Sequence, residues 1–373
     1  MKTKSKNKYS GGAAILLAAC ALPGVLPAAH ADTIPEYGTV SAKILSYQQK
    51  QPDGALSNKA SVASPSIHIS APIAGEWLVE GSLTHDNVSG ASPRYHTTGA
   101  SHMSDERTAG DIRIKRYMSH ATVSVGAAYS TEHDYKSTAL SLQGTVSSED
   151  NNTTWSGGIG INNDRINPVN KIVVNETKSG FEAQVGVTQV LTPVDIVQAN
   201  FTYSEGSGYY SDPYKPYDNR PRDKSAGVVL AKWNHYFKDI NATTRLSYRL
   251  YNDSYGITAH TFGVELVKPL GNGWTVIPSL RYYTQGKASF YYDPPFPNGQ
   301  SPTKYYSADQ RLASVGAITA GIKISKQLTP ESTLDFKLES YRQSASLHLG
   351  SGASPGLSPL TATMIQVGYS RRF

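Results

Sequence analysis

Downstream of residue 31 the chain repeatedly alternates apolar and polar residues over short stretches. Trp77-Val79-Leu83 alternates with Glu80, Ser82 and Thr84, Ile112-Ile114 with Arg113 and Lys115, and Leu140-Leu142-Val146 with Ser141, Gln143 and Thr145. Phe181-Ala183-Val185-Val187 follows against Glu182 and Gln184, Val197-Ala199-Phe201-Tyr203 against Gln198, Asn200 and Thr202, and Leu246-Tyr248-Leu250 against Arg245 and Arg249. The C-terminal third continues with Ile318-Ala320-Ile322-Ile324 and Leu334-Phe336-Leu338. Successive side chains on a strand point to opposite faces, so this period of two predicts strands with one apolar and one polar face. No amphipathic helical segment of useful length interrupts them, and the expected fold class is all-β.

The connectors sort by length. Short turns are expected near Pro72 to Gly75, Ser119 to Ala121, Glu149 to Asn152, Thr192-Pro193, Lys238 to Asn241, Gly271 to Gly273 and Thr329 to Glu331. Between them lie mostly longer stretches rich in Gly, Pro, Ser and Asp: Gln49 to Lys59, Asn87 to Gly110, Asn163 to Lys178, Glu205 to Lys224, Lys287 to Asp309 and Leu347 to Pro359. Two more, around Thr131 to Lys136 and Asn252 to Thr258, are shorter. Short turns on one side and longer loops on the other predict a transmembrane antiparallel up-and-down β-barrel of about 16 strands, with periplasmic turns and extracellular loops. Trp77, Trp155 and Trp274 flank short turns, where indoles favour the membrane–water interface. Leu360 to Phe373 is expected to close the barrel, with Ile365, Val367, Tyr369 and Phe373 facing lipid. A terminal aromatic strand resembles those of Gram-negative outer-membrane barrels and implies handling by the barrel-assembly machinery through Phe373. Arg371 falls on the lipid-facing parity, where a long cation can snorkel to the interface. Paired soluble sandwiches are the competing all-β reading, but they do not sort turns by length.

Charge and cysteine content narrow the classes. Met1 to Ala31 reads as a signal peptide, with Lys2, Lys4, Lys6 and Lys8, an apolar core and Ala29-His30-Ala31 as a cleavage site, leaving 32–373 as the barrel. Leu17-Ala18-Ala19-Cys20 also fits a lipoprotein box, so lipidation of Cys20 stays open. Four of the 35 Lys and Arg and none of the 29 Asp and Glu lie in the signal, which leaves 31 against 29, or +2, in place of +6. Near-neutrality gives no footprint for nucleic acid. Without Cys20 the mature chain has no thiol chemistry. No later apolar run is long enough for a membrane-spanning helix, yet barrel strands need only alternate apolar residues.

The polar parity carries the candidate chemistry. If it faces a lumen, Lys43, Arg113, Lys115, Lys232, Arg245, Arg249, Arg281, Lys323 and Lys337 line it with Glu80, Glu182, Glu265, Asp335 and Glu339. That set fits either a weakly anion-preferring pore or a wall stiffened by cross-strand salt bridges, and both readings stay open. Ser89 to Asp111 reads as a dense extracellular loop holding Arg94, Tyr95, His96, His102, Asp105, Glu106 and Arg107, with His85-Asp86 at its start and Glu132-His133-Asp134 on the next loop. Imidazoles and carboxylates gathered on one rim can bind a divalent metal or can simply pair among themselves; no fixed ligand spacing such as HExxH decides. A membrane hydrolase using His96 or His133 as base lacks a nucleophile motif, so no enzyme and no cofactor is expected. Aromatic, Pro- and Gly-rich loops at Gly206 to Tyr217 and Phe290 to Tyr306 either grip a ligand or pack on themselves.

The segment SGASPRYHTTGASHMSDERTAGDIRIKRY, with YSTEHDY at Tyr129 to Tyr135 and EDNNTTW at Glu149 to Trp155, is similar to a family of uncharacterised proteobacterial proteins, the domain of unknown function three-five-seven-zero. The similarity covers nearly the whole mature chain, and the first segment is its most specific part. The resemblance implies an outer-membrane barrel encoded near a small lipoprotein, a thioredoxin-like protein and a flavin transferase, hence a link to extracytoplasmic redox traffic. It transfers no catalytic residue, and no CxxCH haem motif is present. The expected function is a porin-like or transport channel in the lipid bilayer of the outer membrane. The alternative is a structural or docking barrel for a periplasmic redox lipoprotein or a flavin- or thioredoxin-like partner.

Overall fold

A computed structural model describes residues 33–51, 58–91, 102–215, 217–293 and 304–373. The expected signal at Met1 to Ala31, with Cys20, lies outside the described residues, as do Arg94, Tyr95 and His96. The strands are β1 (Thr39–Gln51), β2 (Asn58–Ile73), β3 (Trp77–Ala91), β4 (His102–Tyr117), β5 (Ala121–Thr131), β6 (Tyr135–Ser147), β7 (Thr153–Ile166), β8 (Glu176–Thr192) and β9 (Asp195–Gly208). They continue with β10 (Asp218–Asn219), β11 (Asp223–Phe237), β12 (Ala242–Asp253), β13 (Thr258–Gly271), β14 (Trp274–Gln285), β15 (Tyr306–Ser307), β16 (Val315–Thr329), β17 (Ser332–Ser344) and β18 (Leu360–Arg372). All but β10 and β15 form one closed antiparallel barrel of 16 strands, and those two pair with each other outside the wall.

Closure is made by β1 and β18, which pair from Thr39↔Arg372 to Lys50↔Thr361. Just beyond them Gly38 and Phe373 exchange both backbone hydrogen bonds at 3.0 Å. The Phe373 ring lies over Gly38, where a Cβ would stand 2.5 Å from the ring edge. A side chain at position 38 would therefore have to displace the Phe373 ring from the seam. One of the two-residue turns is Asn272-Gly273, with φ of 50° and 75° between the paired Gly271 and Trp274. Two consecutive positive φ values match the twist of a two-residue hairpin, and Asn-Gly adopts them at little cost.

The apolar parity points outward and stays uncovered. Ile112, Val125, Leu140 and Ile159 are 52, 56, 55 and 51 % exposed. Trp77, Trp155, Trp233 and Trp274 are exposed near the short-turn ends of their strands. An apolar belt flanked by indoles is stable when lipid covers it, because the bilayer supplies the apolar surroundings that a soluble core would provide. At that rim Arg116 stacks on Trp77 at 5.3 Å and Lys326 on Trp274 at 5.0 Å, with their charges beyond the apolar rows. Buried apolar side chains among the described residues gather instead at the long-loop end, chiefly around Tyr255, Ile257, Phe290, Leu312 and Leu357.

The strands run further than alternation predicts. The segment expected as a loop from Ser89 to Asp111 is largely strand, with β3 reaching Ala91 and β4 starting at His102. His102, Asp105 and Arg107 thus sit on β4, a correction to their placement in an extracellular loop. The ladder continues beyond the lipid, where neither face needs apolar residues, so hydropathy loses its signal while backbone pairing persists.

Replacing Gly38 with Leu should force the Phe373 ring off the seam and destabilise closure by about 1–3 kcal/mol. The measurement is the temperature at which the folded barrel converts to its unfolded electrophoretic form, which should fall; an unchanged temperature would show that the seam tolerates the ring's displacement.

Candidate functional site: the barrel interior and its outer cap

Register determines which side chains share the interior. Opposite the apolar belt, Glu80 stands beside Arg113, Arg245 beside Glu265, Lys323 beside Lys337, and Glu339 beside Gly321. Some of these charges pair: Arg245–Glu265 at 3.7 Å, Lys323–Asp335 at 3.3 Å and Lys337–Glu339 at 3.0 Å. Others do not. Arg281 donates to the Thr319 hydroxyl at 3.2 Å, Arg249 lies 5.5 Å over the Tyr251 ring, and Lys115 lies 5.4 Å over Tyr117. Among the described residues Arg113, Lys115, Lys232, Arg249 and Arg281 form no ion pair, nor do Glu80 and Glu182.

Within this interior a cavity of about 710 Å³ is bordered by residues from β2 to β11, including His68, Arg113, Lys178, Glu182 and Lys224. Its roof is Tyr210, whose hydroxyl would stand 2.3 Å from a Cβ on Gly206; the glycine on β9 makes room for the ring. Lys178 is held below that ring by Asp164 at 3.1 Å and the Tyr135 hydroxyl at 2.8 Å. Lys224 is held by Asp253 at 3.2 Å and lies 4.9 Å over Tyr255.

Above the cavity, the described parts of two connections, 209–215 with 217–222 and 286–293 with 304–314, fold together into a cap. Asp309 is their hub: its carboxylate meets Arg220 at 2.6 Å, Lys215 at 2.9 Å and Arg311 Nε at 2.7 Å. Arg311 also reaches Asp212 at 2.9 Å, which ties one loop to the other. Burial alone would raise the Asp309 pKa, but Lys215, Arg311 and Arg220 hold it well below the usual carboxylate range. Burial in turn lowers Lys215, against the pull of Asp309. Asp309 also caps the short helical turn Gln310–Leu312, accepting the Arg311 amide. Outlying ties spread along the rim. Tyr214 donates to Asp134 at 2.7 Å, Tyr255 to the Pro221 carbonyl at 2.9 Å, and inward-facing Gln285 to the Ala313 carbonyl at 2.6 Å. Tyr210, Tyr214, Phe290 and Tyr291 of the Tyr-rich loops therefore pack on the protein itself, while Tyr217 is 60 % exposed.

Sequence reading gave no sign of Asp309, Arg220 or Arg311 as a unit, because 89 residues separate Arg220 from Asp309. The local sign was Asp309-x-Arg311, a helix N-cap followed by a cation, which indicates a turn and not a partner.

At the rim, Asp105, Glu132 and Asp134 bring carboxylate oxygens within 4.8 Å of one another. His133 Nδ1 lies 3.4 Å from Asp105, and buried Asp86 faces Arg107 at 3.0 Å on the adjacent strand pair. Three carboxylates are a donor set that suits a hard cation. The His102 ring and all of His96 fall outside what is described; Glu132, His133 and Asp134 of the second predicted loop meet Asp105 here. Burial first, then the Asp105 charge and a hydrogen bond shared with Asp105, raise Glu132 to about 8. The cluster therefore holds a proton at neutral pH. Between the ordinary 4.5 and about 8 only the unfolded chain ionises at this group, so stability contributed here falls as pH rises through that window and levels off above it. Carboxyl NMR should show Glu132 titrating near 8, returning toward 4.5 in Asp105→Asn, with Glu132→Gln removing the stability slope. A Glu132 midpoint near 4.5 in the unaltered chain would contradict the shared proton.

Among solved structures, a bacterial polysaccharide outer membrane secretin matches with TM-score 0.50 and 9% identity, over 90% of this chain and 98% of that one. CdiB from Acinetobacter baumannii gives 0.49 at 9% identity, over 88% of this chain and 60% of that one. The P. putida toluene transporter TodX gives 0.44 at 11% identity, over 91% of each chain. At such identities the likeness is one of fold alone, that of an outer-membrane β-barrel. No curated protein matches the sequence. A family profile described as "Protein of unknown function (DUF3570)" matches residues 97–176 and 171–371, and the chain belongs to that family.

Proposed function

We propose that this protein is a channel of the outer membrane, without enzymatic activity, whose mixed-charge lumen passes small hydrophilic solutes with a weak preference for anions. The observation that carries this reading is the set of interior cations without an ion pair among the described residues, Arg113, Lys115, Lys232, Arg249 and Arg281, against fewer such carboxylates, Glu80, Asp111 and Glu182. Fixed positive charge along a polar path lowers the barrier for anions, and salt screens it only beyond about 8–10 Å at ordinary ionic strength. The cap bound at Asp309 ties two long connections together at one end, and the short turns form no comparable cluster at the other end among the described residues, which supports an entrance restricted on the long-loop side.

Reconstituted in planar bilayers, the protein should show discrete openings whose reversal potential in a potassium chloride gradient favours chloride. Lys115→Gln, Arg249→Gln and Arg281→Gln combined should move that potential toward cation selectivity. A silent barrel that co-purifies with a periplasmic flavin- or thioredoxin-like protein would instead support the docking reading.

The cap makes its own prediction. Asp309→Ala leaves three cations facing one another without their shared carboxylate, a loss of about 3–5 kcal/mol for a buried pair broken on one side. The cost falls on the loops, so unitary conductance should rise and loop proteolysis should quicken while the barrel's own unfolding temperature changes little. Unchanged conductance would place the restriction elsewhere in the lumen.

A further inference from the structure

The cavity beneath Tyr210 carries an arrangement that general passage does not need. At one level of the wall the register runs Arg113, Gly126, Ser141, Gly160, Glu182 from β4 to β8. Two glycines and a serine are all that separate a cation from a carboxylate on the same inward face. Four strand spacings put the two backbones roughly 19 Å apart along the wall. Arg113 covers about one of those spacings, and no Glu182 atom comes within 4 Å of a Cβ on Gly160, so the two charged groups stand on the order of 15 Å apart. Arg113 does lean into this gap: its Nε lies 3.8 Å from where a Cβ on Gly126 would stand. It forms no ion pair with Glu80, its register neighbour on the other side. The two lysines on the cavity are ion-paired, Lys178 with Asp164 at 3.1 Å and Lys224 with Asp253 at 3.2 Å, while Asp111 accepts the Ser82 hydroxyl from β3, on the side of Arg113 away from Glu182. Arg113 and Glu182 thus face each other as opposite charges across a low floor. The next level of that floor, Gln143-Gly158-Gln184, offers amide groups.

We propose that this recess is a binding station for short zwitterionic peptides, with the peptide carboxylate on Arg113 and its terminal ammonium on Glu182. An extended tripeptide places its two termini roughly 10 Å apart, and a hydrogen bond of about 3 Å at each end brings its reach to roughly 16 Å, which matches the gap, whereas a free amino acid reaches only about 9 Å. The Arg113 guanidinium presents a planar fork to a carboxylate, and Ser141, Gln143 and Gln184 can satisfy the peptide's own amides. The glycines keep the floor low enough for a backbone to lie against it. This station names a solute class for the channel proposed above, but binding itself is separable from conduction.

The test titrates triglycine into the full-length protein in detergent by calorimetry and adds the same peptide to planar bilayers. Saturable binding is expected, weakened roughly ten-fold or more for N-acetyl-triglycine and for triglycinamide, and likewise by Arg113→Gln or Glu182→Gln. Gly160→Leu supplies a control on folding. A Cβ there meets only the Leu140 carbonyl oxygen at 3.7 Å, an ordinary contact, so the barrel should assemble with unchanged thermal stability while the filled recess loses triglycine. No triglycine binding, or equal binding of the blocked peptides, overturns the station. Chloride-selective openings with no peptide binding would sink the station and spare the channel; peptide binding by a barrel that never conducts would do the reverse.

Discussion

Every backbone amide and carbonyl in the lipid-spanning wall must find its partner within the protein, because the hydrocarbon core offers no water to replace one. This constraint explains the closed ladder of 16 strands, in which β1 and β18 meet and leave no free edge. It also explains why the last pair of hydrogen bonds, between Gly38 and Phe373, is sealed beneath an aromatic ring. With hydrogen bonding satisfied by topology, side chains are released for other tasks: the outward row matches the lipid and the inward row provides chemistry.

The inward row divides its charges into those that pair and those that do not. Lys323 with Asp335 and Lys337 with Glu339 brace neighbouring strands, while Arg113, Arg249 and Arg281 keep their positive charge without a carboxylate partner. The same division recurs around the cavity, where Lys178 and Lys224 support the roof and Arg113 and Glu182 border an open floor. Glycine has two uses here. Under Tyr210 it admits a ring that closes the cavity, and at Gly126 it leaves space over which an arginine can lean.

The cap follows different rules from the wall. Beyond the membrane the loops have water around them, and they build a small conventional core from Tyr255, Phe290, Tyr291 and Leu312. At its edge three cations converge on Asp309, whose charge is kept by its neighbours in spite of its burial. Such a cluster is costly to assemble and costly to break, which suits a feature that must hold one geometry over a mouth.

What the sequence determined by itself is the alternation, and through it the strands, their apolar and polar faces, the sorting of turns by length and the strand count. Those properties are local, since period two and turn chemistry act over a few residues. The positions of Glu80, Arg113, Arg245, Glu265, Lys323 and Glu339 on one face were legible for that reason. The true extent of β3 and β4 was not, because Asp105 and Arg107 lie beyond the lipid, where hydropathy carries no information about pairing. Which charges neutralise one another, the meeting of Asp105 with Glu132 and Asp134, the convergence of Lys215, Arg220 and Arg311 on Asp309, and the bare row between Arg113 and Glu182 were decided by tertiary structure alone. Each depends on the register of several strands at once, and register is a property of the closed sheet, not of any one of its segments.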